Sequence, residues 1–191
     1  MELLKRNLTN RLLEALSDTP VVLLHGARQT GKTTLAKRLR PDWRYVDLEK
    51  SSDYEFVKRD YDFFFATNSS NIVFDEVQNL PELLSELRGV IDSDRERKGR
   101  FILTGSCAPS LLKGVVESLA GRVALIEVGT LKLNEIQGRE LPEFYKILTR
   151  FPSLDHLDLL LRMKVGFSKD EVLGHFLRGG YPEPVLSGDP D

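Results

Sequence analysis

From His25 to Thr34 the chain reads HGARQTGKTT, and Gly26, Gly31, Lys32 and Thr33 satisfy the spacing G-x-x-x-x-G-K-[ST]. The chemistry this spacing serves is phosphate binding. Glycines let successive backbone N–H groups turn toward one point and form an anion nest. A helix opening directly behind the loop adds its N-terminal N–H groups and the positive end of its dipole. A loop running through Gly26, Ala27, Arg28, Gln29, Thr30, Gly31, Lys32, Thr33 and Thr34 would wrap the phosphates of a nucleotide. Lys32 would reach the β- and γ-phosphates, and the Thr33 hydroxyl would ligate Mg²⁺.

Three further stretches carry complementary chemistry. IVFDEVQ places Asp75 and Glu76 at the end of an apolar run, about forty residues after Lys32. Asp75 there would hold the magnesium, directly or through a water. Glu76 is placed to orient or deprotonate a water attacking the γ-phosphate. FILTGS ends a second apolar run with Thr104 and Ser106, either of which can hydrogen-bond the γ-phosphate or the attacking water. SLAGRVALIEV sets Arg122 between a helix and a strand. Two readings of Arg122 stay open: a guanidinium offered to a nucleotide held by a neighbouring copy, hence self-association, or an ion pair at a helix C-terminus. Cys107 has no neighbouring His and no metal-ligand spacing, and reads as a small packed residue.

These residues need a scaffold that brings them to one edge. Five short apolar runs recur: VVLLH, RYVDL, NIVFD, RFILTGS and VALIEV. Most are continuous rather than alternating, as in strands covered on both faces. Helical stretches separate them: KTTLAKRLR, SSDYEFVKRDYDFFFA, LPELLSELRGVIDSDRER and APSLLKGVVESLAG. Strand alternating with helix predicts an α/β fold with a parallel sheet, whose strand ends open on one ligand-binding edge. Beyond about Leu131 the pattern becomes helical only. The expected division is a nucleotide-binding core over 1–137 and a small helical lid over 138–191.

Bulk properties bound the functional classes. The 191 residues are 41% hydrophobic and 29% charged, a globular balance. A formal net charge of −2 gives no electrostatic case for nucleic acid. The apolar runs all fall short of a membrane span, so no membrane partner is expected. The N-terminal residues read as an amphipathic helix rather than a secretion signal, and the single Cys suits a reducing compartment, so the expected location is cytoplasmic.

Taken together, GARQTGKTT, VFDEVQNLPELL, GRFILTGS, SLAGRV and LRGGYPEPV resemble the AAA+ ATPases, and within them an uncharacterised prokaryotic branch. The resemblance runs from about Arg11 to the last residues. It implies a five-stranded parallel sheet in the order 5-1-4-3-2, a P-loop core, and a helical lid over ATP and Mg²⁺. It assigns Asp75 to the magnesium side and Glu76 to hydrolysis. Thr104 or Ser106 becomes a sensor, Arg122 an arginine finger, and Arg178 the nearest candidate for a lid arginine, ahead of Arg162. Members of that branch usually continue into a larger C-terminal domain. This chain stops at SGDPD, so the expectation is a truncated or reduced relative with an incomplete lid. DNA is left open as a partner.

The leading reading is therefore a Mg-dependent ATP hydrolase that couples turnover to conformational change. A nucleotide-gated switch with little turnover is the alternative, and a P-loop phosphotransferase a more distant one. The chain contains no Asn-Lys-x-Asp sequence of the kind that reads guanine, which favours ATP over GTP.

Overall fold

A computed structural model describes residues 4–106, 109–141, 145 and 166–187. They divide into two compact units, one spanning 8–129 and the other combining the N-terminal residues through Asn7 with those from Thr130 onward.

The larger unit begins with α1 (Thr9–Asp18), β1 (Val21–Gly26), α2 (Lys32–Leu39) and β2 (Arg44–Asp47). It continues through α3 (Ser51–Arg59), α4 (Tyr61–Thr67), β3 (Ile72–Asp75), α5 (Leu83–Asp92), β4 (Phe101–Ser106), α6 (Pro109–Leu119) and β5 (Val123–Glu127). The five strands form one sheet in the order β2-β3-β4-β1-β5, every pair parallel. This is the expected order 5-1-4-3-2.

The continuous apolar strands follow from this layering. Along β1, Val21 and Leu23 enter one core cluster with Phe101, Leu103, Ile72 and Phe74, while Val22 and Leu24 enter the other with Ile102, Val73 and Ile126. Successive side chains point to opposite faces, and both faces are dry. One face is covered by Leu12 and Leu16 of α1 and Leu35 and Ala36 of α2. The other is covered by α3 to α6, including Val57, Phe64, Leu87 and Val115. Within that layer Phe64, Phe65, Phe74 and Phe101 meet at ring-centroid distances of 5.2 to 6.3 Å, largely edge to face. Of the FFF run, only Phe63 is turned to solvent.

The stretch SSDYEFVKRDYDFFFA is two helices rather than one. Asp60 breaks it by adopting an extended conformation (φ −161°, ψ 96°), and its carboxylate accepts the Phe63 N–H at 2.9 Å. That local hydrogen bond competes with continuing the helix, the usual reason Asp favours N-caps over helix interiors. Asp60→Ala is expected to cost about 1 kcal/mol of stability, read as a lower urea midpoint at unchanged slope.

In the smaller unit, α7 (Leu133–Ile136), α8 (Lys169–Arg178) and α9 (Pro182–Ser187) are described. Glu135 is buried and pairs with Arg6 at 3.3 Å, while its carboxylate also accepts the Asn7 N–H at 2.6 Å, which explains why the N-terminal residues belong to this unit. Ser168 and Glu171 form a reciprocal capping box at the start of α8. The Ser168 N–H, joined by the Gln137 amide, pulls the Glu171 carboxyl down to about 2. In the GGYP turn, a Cβ on Gly180 would lie 2.2 Å from the Leu131 carbonyl oxygen, so the chain passes there only without a side chain. Cys107 and Arg162 lie outside the described residues.

Candidate nucleotide site

The loop from Gly26 to Gly31 joins the end of β1 to the start of α2. Gly26 permits the closest backbone approach in it, since a Cβ there would sit 2.3 Å from the Val128 carbonyl oxygen. Gly31 takes a left-handed conformation (φ 89°) as the residue preceding α2, a geometry that favours glycine. Gln29 is also left-handed, at φ 61°. Ala27, Arg28, Gln29 and Thr34 are exposed, and Thr30 is buried with its hydroxyl donating to the Ala27 carbonyl at 3.0 Å. Arg28 lies 3.6 Å from Glu49, both well exposed.

Lys32 is buried, and its ammonium donates to the carbonyls of Gly26 at 3.2 Å and Ala27 at 2.8 Å. Its positive charge therefore sits inside the loop, beside the N–H groups that the first turn of α2 does not use itself.

The sheet brings the acids to this loop. Asp75 ends β3 and Thr104 lies on the adjacent β4, both on the edge where β1 runs into the loop. Asp75 is buried and accepts three hydroxyls. Thr33 donates at 2.9 and 3.1 Å to its two oxygens, Thr104 donates to Oδ1, and Tyr45 of β2 donates to Oδ2 at 2.6 Å. Burial, and secondly the hydrogen bond to Asp75, raise the Tyr45 phenol well above its ordinary range, so it stays a donor. The Lys37 ammonium of α2 sits 3.5 Å from the Tyr45 ring centroid.

Glu76 follows directly and is half-buried in a left-handed conformation (φ 55°, ψ 52°). For a non-glycine residue this is a conformation that the surroundings must impose. They do so from two sides. The Glu76 N–H donates to the Thr104 hydroxyl at 3.1 Å, and the Gln78 amide donates to Glu76 Oε2. The Gln78 carbonyl oxygen in turn accepts the Ser106 N–H at 3.3 Å, tying the carboxylate to the end of β4.

Thr33 and Thr104 thus meet on Asp75, with Glu76 and Ser106 joined through Thr104 and Gln78. Neighbouring hydroxyl and carboxylate oxygens form the hard-oxygen donor set that suits Mg²⁺. Arg122 stands elsewhere. Its carbonyl accepts the Val21 N–H at 3.2 Å, at the start of β1, which places it on the opposite edge, about 16 Å of strand away from the loop. Its guanidinium forks onto Asp92 at 2.8 and 3.0 Å, and this bond is the first cause of the lowered Asp92 pKa. Arg178 is the exposed last residue of α8, in the other unit.

Tyr45 and Gln78 were not singled out from the sequence. Both had a signal: RYVDL neighbours the Asp75 strand in the expected order, and Gln78 lies two residues beyond Glu76. Among the described residues, no helix is long and apolar enough to cross a membrane.

Residues 18–137 match the family described as AAA domain. Uncharacterized proteins of Mycobacterium tuberculosis and Mycobacterium bovis are each 37% identical over 137 residues, which is 69% of this chain and 30% of theirs. The chain therefore spans under a third of the length of these relatives. Among solved structures, the Walker-type ATPase of Pyrococcus abyssi superposes with a TM-score of 0.55 at 16% identity, over 98% of this chain and 69% of that one. The STAND protein with a tetratricopeptide repeat sensor from Pyrococcus horikoshii gives 0.54 at 16% identity, covering 94% and 28%. AMPPCP-bound DnaA from Aquifex aeolicus gives 0.51 at 16% identity, covering 95% and 57%. At such identities the structures speak for the fold, and the fold and the family match agree: the chain belongs to the AAA-domain family of AAA+ P-loop ATPases.

Proposed function

We propose that the chain binds ATP with Mg²⁺ at the Gly26–Thr34 loop and hydrolyses it to ADP and phosphate. The observation that carries this reading is Glu76, the residue after Asp75, whose backbone N–H is held by the Thr104 hydroxyl and whose carboxylate is held by the Gln78 amide. A module that only binds nucleotide has no use for a carboxylate held there. Phosphate oxygens would draw the Lys32 ammonium away from the Gly26 and Ala27 carbonyls, and charge-assisted hydrogen bonds would replace neutral ones. Thr33 and Asp75 would hold Mg²⁺, which when bound neutralises charge on the β- and γ-phosphate oxygens. Glu76 would take the proton of the attacking water as its oxygen bonds to the γ-phosphorus and the bond to the β-phosphate oxygen breaks. Thr104 and Ser106 remain the sensor candidates, and Arg178 the lid candidate, within a core and lid divided near 137. The proposed setting is the cytoplasm, and the coupling of turnover to a conformational change belongs to the same proposal.

A specific observation favours the slower alternative for isolated chains. Arg122 is engaged by Asp92, so its use on a neighbour's nucleotide requires that fork to open. Without it, the site would act as a nucleotide switch.

The test is Mg²⁺-dependent phosphate release from ATP and GTP over a range of protein concentrations, with Lys32→Ala as control. Expected are a preference for ATP, activity per chain that rises with concentration, and nucleotide affinity reduced about 10- to 100-fold in the control. ATP binding with no phosphate at any concentration would leave the switch. An absence of ATP binding would overturn the reading.

A further inference from the structure

Asp75 receives more donors than a magnesium-side carboxylate needs. Two oxygens offer roughly four lone-pair positions, and three hydroxyls already occupy them. The three are not equivalent. Thr33 sits in the first turn of α2, shares its proton between both oxygens, and is the hydroxyl that would turn toward a metal ion. Thr104 is buried on β4 and fixes Oδ1. Tyr45 fixes Oδ2 from β2, on the other side of β3.

The Tyr45 hydroxyl is itself held. Its backbone is pinned by the β2–β3 pairing, opposite Val73, and its ring lies against the Lys37 ammonium. Lys37 belongs to the same helix as Thr33, so one phenol ties the metal-side helix, the edge strand and the acidic strand together. A flexible donor would follow the carboxylate wherever it turned. This one imposes an orientation.

We infer that Tyr45 is a positioning residue for Mg²⁺, holding Oδ2 of Asp75 so that the carboxylate keeps its plane when Thr33 transfers to the metal. With Tyr45 present, Oδ1 and Oδ2 each keep a fixed donor after Thr33 leaves. Without its hydroxyl, Oδ2 is held only by the donor that departs. Groups that orient metal ligands in this way commonly change metal affinity 10- to 100-fold when removed. Because the phosphates of the nucleotide also hold the ion, the lower end applies.

This inference rests on the proposed binding of Mg–ATP, and the experiment separates the two. The affinity of a fluorescent, slowly hydrolysed ATP analogue is measured in EDTA and along a Mg²⁺ titration, for the wild-type chain and Tyr45→Phe. Tyr45→Phe keeps the ring and its Lys37 contact, and circular dichroism checks that it folds. The expected result is a Mg²⁺ half-saturation raised about tenfold, with affinity in EDTA unchanged. An unchanged half-saturation, or an equal loss of affinity with and without Mg²⁺, overturns the role of Tyr45 alone. A wild-type chain whose analogue binding ignores Mg²⁺ overturns the magnesium reading, and this inference with it. Thr104→Val does not serve as the test, because Thr104 also accepts the Glu76 N–H.

Discussion

Glu76→Gln is expected to lower ATP turnover by a factor on the order of 10²–10⁴ while leaving ATP affinity within about twofold. The substitution keeps the shape of the side chain, and the left-handed backbone at residue 76 is one that Gln29 also takes in this chain. The Gln78 amide keeps an oxygen to donate to, and the Thr104 hydroxyl still accepts the backbone N–H. What disappears is the capacity to accept a proton from water. Phosphate release under single-turnover conditions, beside equilibrium binding of ATP, separates these effects. A switch that never hydrolyses would be indifferent to the change. Equal losses in binding and turnover would mean that Glu76 supports the loop rather than the chemistry.

The second large effect lies at the opposite edge of the sheet. Arg100 is 2% exposed, yet no carboxylate pairs with its guanidinium at hydrogen-bond distance among the described residues. It donates instead to backbone carbonyls: Ser69 at 3.2 and 2.9 Å, Val90 at 2.9 Å and Asp94 at 3.4 Å. Those carbonyls lie before β3 and at the end of α5, so a side chain at the start of β4 ties that start to the approach to β3 and to the helix that precedes β4. Burial lowers its pKa, as expected where desolvation disfavours the cation. Arg100→Ala removes the guanidinium from part-buried carbonyls and leaves a cavity where a 2% exposed side chain had packed, a combined loss of about 3–5 kcal/mol. The thermal midpoint should fall by on the order of 10 °C. Arg100→Lys should recover only part of this, because one ammonium cannot span carbonyls arranged for a planar fork. A midpoint within about 2 °C of wild type for Arg100→Ala would show that water replaces the guanidinium.

The legible parts of this chain are those in which chemistry and local backbone demand the same residues. Gly26, Gly31 and Lys32 meet at one strand-to-helix junction because they are close in sequence. Asp75, Glu76 and Thr104 were legible as strand ends, because a parallel sheet sends all such ends to one edge. The order of the strands came from resemblance, since periodicity does not say which strand neighbours which. What escaped is tertiary. The Asp92 partner of Arg122 is thirty residues away in sequence, and only the packing of α5 against α6, whose end Arg122 follows, brings it near. Tyr45 looked like one more apolar strand residue, and its phenol gains meaning only when β2 is laid against β3. The break at Asp60 escaped because the helical pattern of apolar residues continues across it, whereas the cap depends on one side-chain hydrogen bond.

The parallel register also has a consequence for symmetry. With the loop after Gly26 at one end of β1 and Arg122 beside the other, the chain is polar along its strands, with different chemistry at its two ends. If Arg122 serves a neighbour's nucleotide, the contact joins unlike surfaces, one edge of a copy against the opposite edge of the next. Such heterologous contacts propagate: they close into a cyclic ring when the rotation per copy divides a full turn, and otherwise wind into an open filament. A two-fold dimer, which pairs like with like, is not the natural product of this geometry.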